Sequence, residues 1–121
     1  MVVDKQVDRI FHALADPTRR EIVSVVLVQD HSVSELARRF PMSFAAVQKH
    51  VTVLERAGLV TKLPKGREQR VSGNIDALRK ARQLLDQLEA TWRLRVERIG
   101  QILAEEDPGD RSEPGERTNE K

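Results

Sequence analysis

At 121 residues the chain has the length of one domain, and with no Cys it can hold neither a disulfide framework nor a thiolate metal site. Hydrophobic residues make up 39% and charged residues 33%, as in a helix-rich soluble domain, but 3% aromatics and no Tyr leave few rings to stack on unpaired bases. The net charge of +2 hides an asymmetry: residues 105–121 hold seven acids and three bases, the rest twelve acids and eighteen bases, and a basic body of this kind suits a polyanionic partner.

Residues 4–14 alternate charge with an apolar stripe of Val7, Ile10, Phe11 and Leu14, which predicts a first helix. Asp16-Pro17 restarts the chain, since Asp is a strong N-cap and Pro is favoured at the first helical position. A second helix from Pro17 to about Val28 follows, with Ile22, Val23, Val26 and Leu27 inward. Arg19 and Arg20 stand near its start, where the helix dipole disfavours cations, so they either pair with acids or touch something anionic. Gln29-Asp30-His31 reads as a connector.

Ser32-Val33-Ser34-Glu35 is a capping box opening a short third helix through Leu36, Ala37 and Phe40, which Pro41 stops. Ser43 then caps a fourth helix over residues 43–58, with Met42 placed to staple against Val47 and Gly58 to supply a left-handed exit. A short helix, a tight turn and a capped second helix make a helix-turn-helix. At 3.6 residues per turn, Ala46, Val47, His50, Val53, Leu54 and Ala57 share one side, with Val51 at its edge. Ala45, Gln48, Lys49, Thr52 and Arg56 fall opposite, a face without an acid and chemically suited to base edges and phosphates in a major groove. The plainer reading of that face is an ordinary solvated surface.

Leu59 to Leu63 predicts a strand, Pro64-Lys65-Gly66-Arg67 a turn, and Glu68 to Ser72 a returning strand. This hairpin carries Lys62, Lys65, Arg67 and Arg70 against the single acid Glu68, as a wing that grips the backbone beside a reading helix would. Cations that keep an edge soluble are the alternative. Asp76 caps a long last helix to about residue 105, in which Leu78, Leu85, Trp92 and Ile99 recur every seven residues. Ala81, Leu88 and Ile102 follow a second such row, broken by Arg95. Two rows make a seam for a partner helix, so Leu85, Leu88, Trp92 and Ile99, with Val7 and Phe11 of the first helix, are the expected dimerisation residues.

The expected organisation is thus mainly α: a winged helix-turn-helix with a two-stranded wing and a long C-terminal dimerisation helix over residues 1–106, then a disordered acidic tail over 107–121. No apolar run nears the roughly 20 residues of a membrane span, and no signal-peptide core is present, so a cytoplasmic protein without a membrane partner is expected.

The stretches Ala13-Leu14-Ala15-Asp16-Pro17-Thr18-Arg19-Arg20-Glu21-Ile22-Val23, Ser34-Glu35-Leu36-Ala37, Val47-Gln48-Lys49-His50-Val51 and Leu54-Glu55-Arg56-Ala57-Gly58-Leu59-Val60, followed by Gly66-Arg67, resemble the ArsR family of small bacterial winged-helix repressors. They cover roughly residues 7 to 72. The resemblance implies a homodimer that binds a palindromic operator on double-stranded DNA, one recognition helix per half-site, and represses transcription. Metal-sensing members use Cys in the helix matching residues 32–40, or carboxylate and His ligands along the last helix. Here the first stretch has no Cys, the last helix has no His, and none of His12, His31 and His50 is spaced i, i+4 with another. The chain therefore looks like the metal-free branch, without a cofactor, and its inducer is an unknown small molecule, a partner protein or nothing beyond its own abundance. His50 lies on the apolar side and reads as a packed, hydrogen-bonded residue.

On this reading Gln48 and Lys49 contact base edges, Ala45 and Thr52 a thymine methyl, and Phe44 the groove edge. Ser43, Arg56, Lys62, Lys65, Arg67 and Arg70 hold phosphates. No catalytic triad, phosphate cradle or acid pair marks an enzyme. The competing class is a winged-helix module that binds protein; it calls for an apolar patch on the exposed face of helix 43–58, against which Gln48, Lys49 and the cationic wing speak.

Overall fold

The computed structural model describes residues 4–106, so the acidic tail read at residues 107–121 lies outside the described residues. The chain divides into two units, residues up to Leu84 and residues from Leu85 on. In the first, α1 (Lys5–Leu14) starts where Asp4 Oδ1 accepts the Gln6 and Val7 N–H groups, at 3.0 and 3.3 Å. Helix α2 (Pro17–Val28) starts at Asp16, whose Oδ2 accepts the Arg19 N–H at 2.9 Å. Arg19 and Arg20 form no ion pair with an acid among the described residues. Arg19 donates to the Ala13 and His12 carbonyls at 2.8 and 3.3 Å, and Arg20 to Leu14 O at 2.7 Å. Both guanidinium groups thereby satisfy the orphan carbonyls at the C-terminal end of α1, where the helix dipole favours a cation. Leu27, expected inside, is 40% exposed. It lies over Gly73, where an added Cβ would stand 2.7 Å from Leu27 Cδ2 and 2.9 Å from Leu27 Cα, so only glycine allows this close approach.

The connector holds a strand that composition did not reveal: β1 (His31–Ser32) leads into α3 (Val33–Arg39). The Ser32 capping box is complete, with Glu35 N donating to Ser32 Oγ at 3.0 Å and Ser32 N to Glu35 Oε1 at 2.9 Å. After the turn, α4 (Phe44–Arg56) begins at Ser43, whose Oγ accepts the Ala46 N–H at 3.1 Å. Gly58 leaves the helix with φ +79°, a conformation that only glycine adopts cheaply. Val47, Val51 and Leu54 are wholly buried. Val51, expected at the edge, is thus central, and Val53 is only partly covered. The inward face of α4 follows the i, i+4, i+7 row rather than the broader arc read from sequence.

Strands β2 (Val60–Lys65) and β3 (Glu68–Gly73) form the hairpin, and β1 adds to its other side, giving the antiparallel order β1-β3-β2. Pairing runs from Val60 opposite Gly73 to Lys65 opposite Glu68, so the turn is two residues, not four. Gly66 takes φ +63° and Arg67 has no positive φ, the pattern of a type II′ turn. Pro64 is tolerated because β2 is an edge strand, and a proline can leave its missing donor on the open side. The core packs Ile10, Ile22, Leu36, Val47, Val51, Leu54, Leu59, Val60 and Val71 out of solvent.

The last helix, α5, spans Ile75–Glu106. Its cap is Asn74 rather than Asp76: Asn74 Oδ1 accepts the Asp76 N–H at 3.1 Å, and Asp76 sits in the first turn. Within the first unit Ala77 and Ala81 are buried and Leu78 packs on the core. Lys80 Nζ reaches Gln6 Oε1 at 2.8 Å and Asp4 Oδ2 at 3.1 Å, and Gln6 Nε2 donates to Ala57 O at 3.4 Å. One polar chain therefore links α1, the end of α4 and the start of α5. In the second unit Leu85, Leu88, Trp92, Val96, Ile99 and Leu103 are all about half exposed or more. No helix of the described residues is long and apolar enough to cross a membrane.

Candidate nucleic-acid interface

The outward side of α4 presents the residues the periodicity placed there. Ala45, Lys49 and Arg56 are exposed, Gln48 and Thr52 half-buried, and Phe44 at the helix start is 52% exposed. Thr52 Oγ1 donates to Gln48 O at 3.0 Å, which occupies its hydroxyl proton. Ser43 Oγ accepts its capping bond and keeps its own proton to donate. Lys49 and Arg56 have no hydrogen-bond or ion-pair partner among the described residues.

The wing divides its cations into two pairs. Lys62 Nζ lies 3.4 Å from Glu55 of α4 with only 14% of its side chain exposed, so it braces the base of the hairpin against α4. Arg70 is 3.6 Å from Glu35 of α3 and donates to Asp30 O at 3.1 Å. Lys65 and Arg67, at the tip, are exposed and have no such partner among the described residues. Sequence alone ranked these four alike, because nothing local tells a cation that meets an acid of the next element from one that does not.

A cleft of about 350 Å³ joins the two halves of this surface; residues 32–34, Phe44, Gln48 and residues 67–69 line it. It brings the expected base reader Gln48 and the expected phosphate contact Arg67 to one place. It also adds Ser34, Glu68 and Gln69, which the sequence reading did not select; their polarity and place in the helix-turn-helix and the wing were the only signals. Opposite this side, His50 is half-buried with Nδ1 3.4 Å from Arg19 Nη1. A guanidinium can only donate, so Nδ1 is the acceptor of this contact. Val7 is buried within the chain, whereas Phe11 stays at the surface.

Three carboxyl groups that fix the local geometry are held below their ordinary values. The Ser32 N–H, assisted by the nearby Arg70, lowers Glu35. The Arg19 N–H lowers Asp16, and a hydrogen bond from Lys80 lowers Asp4. Among the described residues no group of three or more His, Asp or Glu could hold a metal ion.

A helix-turn-helix, α3 and α4, flanked by a β hairpin with cations unpaired among the described residues at its tip defines the winged helix-turn-helix class. The sequence profile described as "Bacterial regulatory protein, arsR family" matches residues 16–62, from the α2 cap through the reading helix into β2. The solved structure of an ArsR-like transcriptional regulator from Rhodococcus sp. RHA1 superposes with a TM-score of 0.73 at 37% identity, over 81% of this chain and 92% of that one. The HTH-type transcriptional regulator Rv2034 of Mycobacterium tuberculosis (strain ATCC 25618 / H37Rv) is 48% identical over 59 residues, which are 49% of this chain and 55% of that protein. The transcriptional repressor SdpR of Bacillus subtilis (strain 168) is 29% identical over 59 residues, 49% of this chain and 66% of that protein. The matched segments thus span between half and two-thirds of these curated relatives. The chain belongs to the ArsR family of winged helix-turn-helix transcriptional regulators, which bind DNA and are not enzymes.

Proposed function

We propose that this protein is a homodimeric repressor that reads a roughly palindromic operator, with helix 43–58 in the major groove and the wing on the flanking backbone. The observation that carries the reading is the outward face of α4, with Gln48 and Lys49 upon it and the bordering Glu55 neutralised by Lys62, meeting the free wing cation Arg67 across one cleft. Gln48 and Lys49 then read base edges, Ala45 and Thr52 pack on a thymine methyl, and Phe44 lies at the groove edge. Ser43, Arg56, Lys65 and Arg67 hold phosphates, and Lys62 and Arg70 contribute mainly by fixing the wing to α4 and α3. The repressor sign is supported by the similarity to SdpR.

Dimerisation is supported by the second unit, where Leu85, Leu88, Trp92 and Ile99 expose an apolar stripe that a single chain leaves in water. Phe11 joins them as a proposed dimer contact, whereas Val7, expected beside it, is already covered by its own chain and offers a partner little surface. Residues 1–106 act as one DNA-binding and dimerisation module, with 107–121 as its acidic appendage. The releasing signal is a small molecule, a partner protein or nothing beyond the protein's own abundance, and not a metal ion, a reading supported by the lack of Cys and of any i, i+4 spacing among the three His.

The test is selection of binding sites by the purified chain from a randomised duplex library about three helical turns long, followed by titration of the selected and scrambled duplexes across a salt series. A two-fold-symmetric consensus bound at least about a thousandfold better than scrambled DNA establishes the operator reading. Equal affinity for both duplexes sinks it.

A further inference from the structure

Three carboxylates border the wing, and two of them are neutralised within the chain: Glu55 by Lys62 at 3.4 Å and Glu35 by Arg70 at 3.6 Å. Glu68 is the third. It lies opposite Lys65 in the hairpin register yet makes no ion pair among the described residues. It also lines the cleft that holds Gln48 and Arg67, where the other polar side chains are amides, hydroxyls and a guanidinium beside the apolar Val33 and Phe44. A lone carboxylate on a face built for a polyanion is repelled by every duplex that presents only phosphate there. The repulsion is relieved where a base edge offers an amino group, because an ionised carboxylate can only accept hydrogen bonds. Cytosine N4 and adenine N6 are the amino groups a major groove offers.

We propose that Glu68 is a specificity-determining residue of this regulator: a carboxylate in the cleft between wing and reading helix that weakens binding to DNA in general and accepts a base amino group at the operator. The inference rests on the operator reading above. It gives the wing a selective part beside the backbone grip of Lys65 and Arg67. Gln69, the next residue on β3, also lines the cleft and can supply an amide donor to the same base pair or its neighbour.

The experiment titrates the wild-type chain, Glu68→Gln and Glu68→Lys against the duplex selected above and its scrambled counterpart, in the same salt series. Glu68 is exposed next to the turn, so both variants should melt with the wild type, and a melting curve checks this. Loss of the charge is expected to tighten scrambled DNA about threefold, and its reversal about tenfold, with a steeper salt slope each time. The selected duplex gains less or loses affinity, so discrimination falls in the order wild type, Gln, Lys. The loss of preference should centre on one base pair that carries an amino group in the groove. Equal tightening on both duplexes, or no change on either, overturns the role of Glu68 while leaving the operator reading intact. Failure of the wild-type chain to select any consensus overturns both.

Discussion

Single atoms decide how the reading surface is held. Ser43 Oγ is the acceptor that starts α4, so Ser43→Ala should cost about 1 kcal/mol in denaturant unfolding and weaken DNA binding by loosening the first turn. Gln48→Ala should leave stability unchanged and cost about 1–3 kcal/mol on the selected duplex, seen as relaxed preference at one base. Gly58 is more constrained: at φ +79° a side chain is strained, and a Cβ would come within 2.8 Å of Gln6 Nε2. Gly58→Ala should therefore destabilise by roughly 1–3 kcal/mol and break the link from Gln6 to Ala57. Acid sensitivity belongs here as well. Asp4, Asp16 and Glu35 have folded-state pKa values below their unfolded ones, so their contribution is complete at neutral pH. It is lost as pH falls through and below the ordinary carboxylate range of about 4. The urea midpoint should drop over that interval, and Asp16→Asn, which keeps an acceptor at the cap, should flatten the drop.

At the scale of elements, the wing combines two jobs that its composition did not separate. Its base is tied to α4 by Lys62 and to α3 and the β1 approach by Arg70, while its tip is free. Arg67→Ala should weaken selected and scrambled duplexes alike and reduce the salt slope by about 1, with no change in melting. Arg70→Ala should lower the melting temperature as well, since Asp30 O and Glu35 lose a partner. The caps of α2, α3 and α4 were legible in sequence because a cap is a local event: Asp16, Ser32 and Ser43 each bond an N–H three residues ahead, whereas the α5 cap fell at Asn74 and not at the equally suitable Asp76. The two-residue β1 was not, because a strand that short has no period and exists only through its pairing with β3. The pairing of Arg19 and Arg20 with α1 carbonyls was hidden for a similar reason. It depends on the angle at which α2 leaves α1.

For the whole molecule, the long last helix raises the question of assembly. Read by heptads, its second apolar row is broken at Arg95. Six of the exposed side chains follow another spacing: Leu85 to Val96, Leu88 to Ile99 and Trp92 to Leu103 are each eleven residues apart, which keeps these six on one side of the helix, with Leu94 and Ile102 outside it. Arg95, seven residues from Leu88, then borders the stripe, with its guanidinium 5.7 Å from the Trp92 ring centroid. An eleven-residue period matches a nearly straight helix, so a partner helix should pack along it without the left-handed supercoil of a heptad seam. Leu88→Glu combined with Trp92→Glu should convert a dimer to monomer in sedimentation velocity. It should lower operator affinity far more than affinity for a single half-site, because the second half-site is held only through the dimer.

Sequence alone determined the properties that depend on neighbours along the chain. The order of helices, the caps of α2, α3 and α4, the helix-turn-helix, the glycine exit at Gly58 and the polar face carrying Gln48 and Lys49 all follow from spacings of a few residues, where backbone geometry leaves little freedom. Tertiary structure decided what depends on elements meeting at a distance. It selected Val51 over Val53 for the core, moved Leu27 outward over Gly73, and used Lys62 and Arg70 as braces while leaving Lys65 and Arg67 free. It also set Glu68 unpaired into the cleft beside Gln48. A charge or an apolar group has a local identity, but its energy depends on what faces it, and that partner lies tens of residues away in the chain.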